Sequence, residues 1–136
     1  MKKLFISCPT KYRTKKNILI TLEKMRQEAE IFFGEKLEIL LSDKIDTDKE
    51  MLILSNSIKT MSKADFFIGI DWTDIYNNCN YKVRLNLKKY FRLCDIEKQI
   101  AKCYGIKTLE INTYDIMPDI LVLPGRLHPQ FLDNIV

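Results

Sequence analysis

The chain is poor in the residues that build metal sites. His128 is its only histidine, and its four cysteines, Cys8, Cys79, Cys94 and Cys103, form no C-x-x-C pair. A zinc-type cluster therefore has no ligand set to draw on, and no metal is expected. In a chain read as cytosolic the same cysteines are expected to be free thiols, some of them buried. No apolar run approaches the ~20 residues that span a bilayer. The apolar part of Met1-Lys2-Lys3-Leu4-Phe5-Ile6 is too short for a signal peptide. A cytoplasmic location with no membrane partner follows as an expectation. Internal repeats and low-complexity tracts are also lacking.

What remains is an ordinary globular composition. At 136 residues and 46% hydrophobic content, one domain with a proper core is expected. The formal net charge is +4, which is mildly basic, and no nucleic-acid polymer is expected as a partner. The local distribution says more. Lys11, Arg13, Lys15 and Lys16 cluster after the first apolar run, and Lys82, Arg84, Lys88, Lys89 and Arg92 form a second cluster. Two basic clusters flanking a site suit a phosphorylated or otherwise anionic small ligand, although either also serves as a solubilising face.

Strand-like and helix-like segments alternate. Lys3–Ile6, Leu37–Leu41, Phe66–Ile70 and Lys107–Ile111 read as strands, and Ile120–Leu123 as a fifth. Thr14 is read as the cap of a helix carrying Ile18, Leu22, Met25, Ala29 and Phe32 on one stripe, with Gly34 as its stop. Asp48 is read as the cap of a second helix with Met51, Leu54, Ile58 and Met61 inward. This alternation predicts an α/β domain with a single doubly wound, flavodoxin-like parallel sheet, the first strand central and helices on both faces. Residues 73–91 interrupt the rhythm and read as an inserted loop or lid, and 113–136 as a C-terminal extension.

The stretch from Arg92 to Ile106 holds the main candidate. Asp95 is read as the N-cap of a helix with Ile96, Ile100 and Tyr104 facing the core and Gly105 closing it. Glu97 would then lie in the first turn, where the positive helix pole favours an ionised carboxylate. Such a carboxylate can act as nucleophile, or as stabiliser of an oxocarbenium-like centre, at a sugar carbon. The plain alternative is a solvated helix-start carboxylate. Ligands in doubly wound folds sit beyond the carboxyl ends of the strands. Ser7-Cys8-Pro9-Thr10 after the first strand and Asp71-Trp72 after the third are expected to meet Glu97 there.

These segments in order resemble the nucleoside 2-deoxyribosyltransferase-like proteins, and most closely a small bacterial and phage branch. The residues carrying the resemblance are Lys2 to Ser7 with Pro9, then Ser62-Lys63-Ala64-Asp65 before an apolar strand and Trp72. Arg92, Cys94, Ile96, Glu97, Ile100, Ala101, Tyr104, Gly105 and Ile106 complete it. The resemblance implies cleavage or transfer at an N-glycosidic bond of a deoxynucleoside or its 5′-monophosphate, without a cofactor. It also implies a glutamate at position 97 acting at the anomeric carbon, the first loop lying beside base or sugar, and assembly as a homo-oligomer. Two positions depart from the pattern. Ser57 stands where the enzymes carry an aspartate, and Leu93 replaces a glycine in the turn before the glutamate.

Two functional readings follow. In an enzyme, Glu97 works with Asp71, the latter preferred over Asp95 because a cap is already occupied. Ser7, Cys8, Pro9, Thr10, Ser57, Trp72, Cys94 and Asp95 line the ligand, while Lys11, Arg13 and Arg92 balance phosphate charge. In a non-catalytic binder, the same pocket sequesters a nucleotide-derived signal, such as a cyclic or ADP-ribose-type molecule, with Trp72, Tyr76, Tyr81, Tyr90 and Phe91 offering stacking surface.

Overall fold

A computed structural model of the chain describes residues 1–9, 18–43, 45–77, 79–113, 122–123 and 126–127. Four strands form one all-parallel sheet: β1 (Lys2–Ile6), β2 (Leu37–Leu40), β3 (Phe66–Asp71) and β4 (Lys107–Asn112). Their order is β2-β1-β3-β4, so β1 and β3 are internal. In register, Leu4 pairs with Ile39 on one side and Phe66 on the other. The fold is α/β and flavodoxin-like, and the first and third apolar runs are the interior strands, as their composition requires.

Side-chain alternation divides the core in two. Leu4, Ile6, Phe66, Ile68 and Ile70 point to one face, where helix α1 (Ile18–Phe33) contributes Leu22, Met25 and Ala29. Phe5 and Phe67 point to the other, stack on each other at 5.7 Å between ring centres and pack with Met61 and Ala101. These last two belong to α2 (Glu50–Met61) and α5 (Arg92–Cys103). Helices therefore cover both faces of the sheet.

The stretch expected as a loop, 73–91, holds two helices. They are α3 (Thr73–Asn77) and α4 (Tyr81–Tyr90). Asn80 caps α4 by accepting the Val83 amide at 3.0 Å, and Val83, Leu87 and Phe91, four residues apart, are buried against the first core face. Phe91 closes α4 and opens α5, because its buried ring stacks on Trp72 at 5.5 Å.

Several helix faces differ from the sequence expectation. Phe32 and Met51 are 63% and 78% exposed, Ile58 is also exposed, and Thr21 on α1 and Ser57 on α2 join the expected Leu22, Met25, Ala29 and Met61 on the buried side. Lys49, not Asp48, precedes α2, with no side-chain cap bond. The fifth strand does not join the sheet: β5 (Val122–Leu123) pairs antiparallel with β6 (Arg126–Leu127). The Thr14 cap, Ile120 and Leu121 lie outside the described residues. Gly34 and Gly105 do end their helices, both at positive φ, where a side chain would be strained.

Candidate functional site

In the order β2-β1-β3-β4 the sequence of strands reverses between β1 and β3, and their carboxyl ends open the crevice where doubly wound folds place ligands. Ser7, Cys8 and Pro9 leave β1 there, all buried. The Ser7 amide donates to Ile68 O at 2.9 Å and extends the ladder one residue beyond β1. That fixes the backbone from which the Ser7 hydroxyl donates to Glu97 Oε1 at 2.7 Å. Both residues are buried, Glu97 with 7% of its surface exposed. A carboxylate is normally kept in water, so one held on the inner side of a helix by a designated donor is a marked local feature.

The route by which α5 presents Glu97 differs from the sequence reading. The helix starts at Arg92, so Glu97 lies in its second turn, and Asp95 is inside the helix rather than its cap. The helix pole fades within one turn and does not account for Glu97. The inward face is Cys94, Glu97 and Ala101, while Tyr104 is 83% exposed and Ile96 and Ile100 are half-buried. Asp95 instead accepts the Trp72 indole N–H at 2.9 Å. Lys98 bridges α5 to β4 through Glu110 at 2.6 Å, with Asp95 at 3.9 Å.

Cys94 and Cys8 complete the buried cluster. Burial pushes the Cys94 thiol well above its ordinary 9.0, and the neighbouring Glu97 and Cys8 add to the shift. It is a neutral thiol at physiological pH, a packing group and weak donor rather than a nucleophile.

Asp71 is committed locally. Its Oδ1 accepts the Thr73 hydroxyl at 2.7 Å and the Thr73 amide at 3.1 Å, turning the chain from β3 into α3. The Thr73 hydroxyl bond is the main cause that holds the Asp71 carboxyl below its ordinary value. One oxygen of the Asp71 carboxylate is thus engaged in an Asp71–Thr73 turn, with Thr113 reaching the Asp71 carbonyl at 3.2 Å. Arg92 is likewise engaged: its guanidinium holds both oxygens of Glu50, with Nε–Oε2 at 3.0 Å. This pair joins the starts of α5 and α2. Ser57 is buried, 3.5 Å from the Ser42 hydroxyl at the end of β2.

The structure thus brings Ser7, Cys8, Cys94 and Glu97 together and links Trp72 to Asp95. Thr10, Lys11 and Arg13 lie outside the described residues, as do Lys15 and Lys16. Thr73, Thr113 and Ser42 were not legible as site residues, because isolated hydroxyl side chains carry no periodic or motif signal. Among the described residues, no group of three or more His, Cys, Asp or Glu is arranged to hold a metal ion, and no helix is long and apolar enough to cross a membrane.

Comparison with known proteins adds one relative. The chain is 31% identical over 86 residues to an uncharacterised protein of Clostridium acetobutylicum, the match covering 60% of this chain and 45% of the relative. The chain thus spans less than half the length of the curated relative it matches. No family model matches, and no solved structure matches.

Proposed function

We propose that the protein acts on the N-glycosidic bond of a deoxynucleoside or its 5′-monophosphate, by hydrolysis or deoxyribosyl transfer, with Glu97 as the reacting carboxylate. The observation that carries this reading is the Ser7–Glu97 hydrogen bond at the crevice between β1 and β3. A carboxylate that attacks or stabilises an anomeric carbon must be held in one orientation, and a hydroxyl fixed by the sheet does this without neutralising it. Trp72, oriented by Asp95 and backed by Phe91, is the aromatic group of the same strand-end cluster suited to stack on a base.

A second reading is favoured by one specific observation. Asp71 is tied to Thr73 through one carboxylate oxygen, whereas retaining chemistry uses two freely acting carboxyls about 5–5.5 Å apart. A pocket with a single committed carboxylate also suits a binder that holds a nucleotide-derived signal without turning it over. The localisation, in the cytoplasm, and assembly as a homo-oligomer belong to the same proposal.

Incubation with a panel of nucleosides and nucleotides, followed by mass spectrometry of the supernatant and of the heat-released fraction, separates the two. Free base in the supernatant supports the enzyme. Intact ligand recovered in near-stoichiometric amount supports the binder, and neither product nor retained ligand contradicts both.

A further inference from the structure

Positive charge is segregated along this chain. Residues 1–22 carry six Lys or Arg and no carboxylate, and residues 75–94 carry five and none; of the 22 basic residues that leaves 11 elsewhere, against all 18 Asp and Glu. Lys82, Arg84, Lys88 and Lys89 of the second stretch lie on α4. Val83 and Leu87 are buried beneath it. Tyr81, Lys82, Leu85, Lys88 and Lys89 are exposed, and by helical spacing they fall on one outward stripe.

The basic residues of this stretch divide into two groups. Arg84 is used internally: its Nε donates to Tyr76 O at 2.9 Å, and its guanidinium lies over the Tyr76 ring. Arg92 is taken by Glu50. Among the described residues, Lys82, Lys88 and Lys89 pair with no carboxylate, and Lys88 has only the Tyr76 ring, 5.6 Å away. Three such ammonium groups on one short helix repel one another, and a solubilising face would intersperse both signs. Tyr81, at the head of the stripe, is 76% exposed, beside the Asn80 cap.

The geometry points to α4 as a docking track for single-stranded nucleic acid, Lys82, Lys88 and Lys89 meeting phosphates and Tyr81 stacking on a base. From Lys82 to Lys89 the helix rises about 10 Å, long enough to meet neighbouring phosphates of one strand. A cationic track with an exposed aromatic platform is how strands are held without sequence preference. A membrane fits less well, because Val83 and Leu87 are spent on the core and leave only Tyr81 and Leu85 to enter the interface. This surface is distinct from the Glu97 cluster, and the proposal runs against the expectation, drawn from net charge, that no nucleic-acid polymer is bound.

The test is fluorescence anisotropy of the full chain with a labelled 20-nucleotide oligo-dT across a salt series, with circular dichroism of every variant. K82Q/K88Q/K89Q is expected to weaken binding at least tenfold at low salt and to reduce the salt slope by about 2, near 0.7 for each phosphate no longer neutralised. Tyr81→Ala is expected to weaken it about tenfold. The control K24Q/K59Q/K63Q makes the same change of net charge at exposed lysines elsewhere and is expected to stay within twofold. Glu97→Gln should leave oligonucleotide binding unchanged, which separates this surface from the reaction proposed above. Absence of binding at low salt, or equal weakening by the control triple, would overturn the proposal. So would α4-dependent binding of anionic phosphatidylserine vesicles with no oligonucleotide binding.

Discussion

Ser7 and Glu97, 90 residues apart in sequence, meet through a 2.7 Å hydrogen bond in the interior of the protein. One comes from the end of a central strand and the other from the inner face of the helix that precedes β4. Their contact therefore depends on the sheet order and on the docking of α5 together. Ser7→Ala removes one hydrogen bond from a buried carboxylate, and an expected loss of about 1.5–3 kcal/mol follows for a bond to a charged group. Urea unfolding of Ser7→Ala, Glu97→Gln and the double variant measures it. A double variant destabilised by the full sum of the two single effects would show that the side chains do not interact.

The cysteines give a chemical map of burial. Cys103 is exposed, whereas Cys8, Cys79 and Cys94 are buried. Burial raises both the Cys79 and Cys94 thiols. One thiol of four is expected to react promptly with a disulfide reagent at pH 8 in the native protein, and Cys103→Ser to abolish that phase. Because the Cys94 proton is held more tightly folded than unfolded, its contribution to stability is complete below its ordinary value of 9.0 and is lost as pH rises above it. Alkaline unfolding should accordingly shift to higher pH in Cys94→Ala if that variant packs without a cavity.

Asp71 titrates in the opposite direction. Its folded carboxyl lies below its ordinary value of 3.8, chiefly through the Thr73 hydroxyl. The stability it contributes is therefore present above about pH 4 and lost as pH falls through the lowered value. Thr73→Ala is expected to move the Asp71 carboxyl titration back up, as read by carboxyl NMR. An unchanged titration would mean that the Asp71–Thr73 turn is not formed in solution.

On the opposite face of the sheet, Phe5 and Phe67 are fully buried and stacked with a 14° interplanar angle. Phe67→Ala deletes the larger part of that contact and should cost about 3–5 kcal/mol in unfolding free energy. A cost below about 1 kcal/mol would be inconsistent with a close-packed core there.

The strands were legible because each is a short apolar run bounded by polar or turn residues. Phe66–Ile70 and Lys107–Ile111 fall within a residue of β3 and β4. The helix faces were harder to read. Met51-Leu52-Ile53-Leu54 places apolar side chains all round α2, so periodicity alone cannot say which are inward, and Met51 and Leu52 face solvent. Beside the expected Met61 on α2 and Leu22, Met25 and Ala29 on α1, the core also takes Ser57 and Thr21, which are small and polar. Glu97 was found by its place in a motif; hydropathy would have sent it outward. Residues 73–91 looked like a loop because α4 is so basic, yet Asn80 followed by Val83, Leu87 and Phe91 is a capped helix with one apolar stripe. The start of α5 lies four residues before the expected one because a buried aromatic, Phe91, anchors it instead of a capping side chain.

Glu97 as the reacting carboxylate is tested most directly by following free base over time in a reaction of the purified protein with deoxynucleosides and their 5′-monophosphates, wild type beside Glu97→Gln. The glutamine keeps an oxygen to accept the Ser7 hydroxyl, so the fold is retained while the charge proposed to act at the anomeric carbon is removed. The expected result is base release by the wild type and release at the protein-free rate by Glu97→Gln, with ligand affinity changed only modestly. Equal release by the two proteins, or none by the wild type with any substrate, would contradict it.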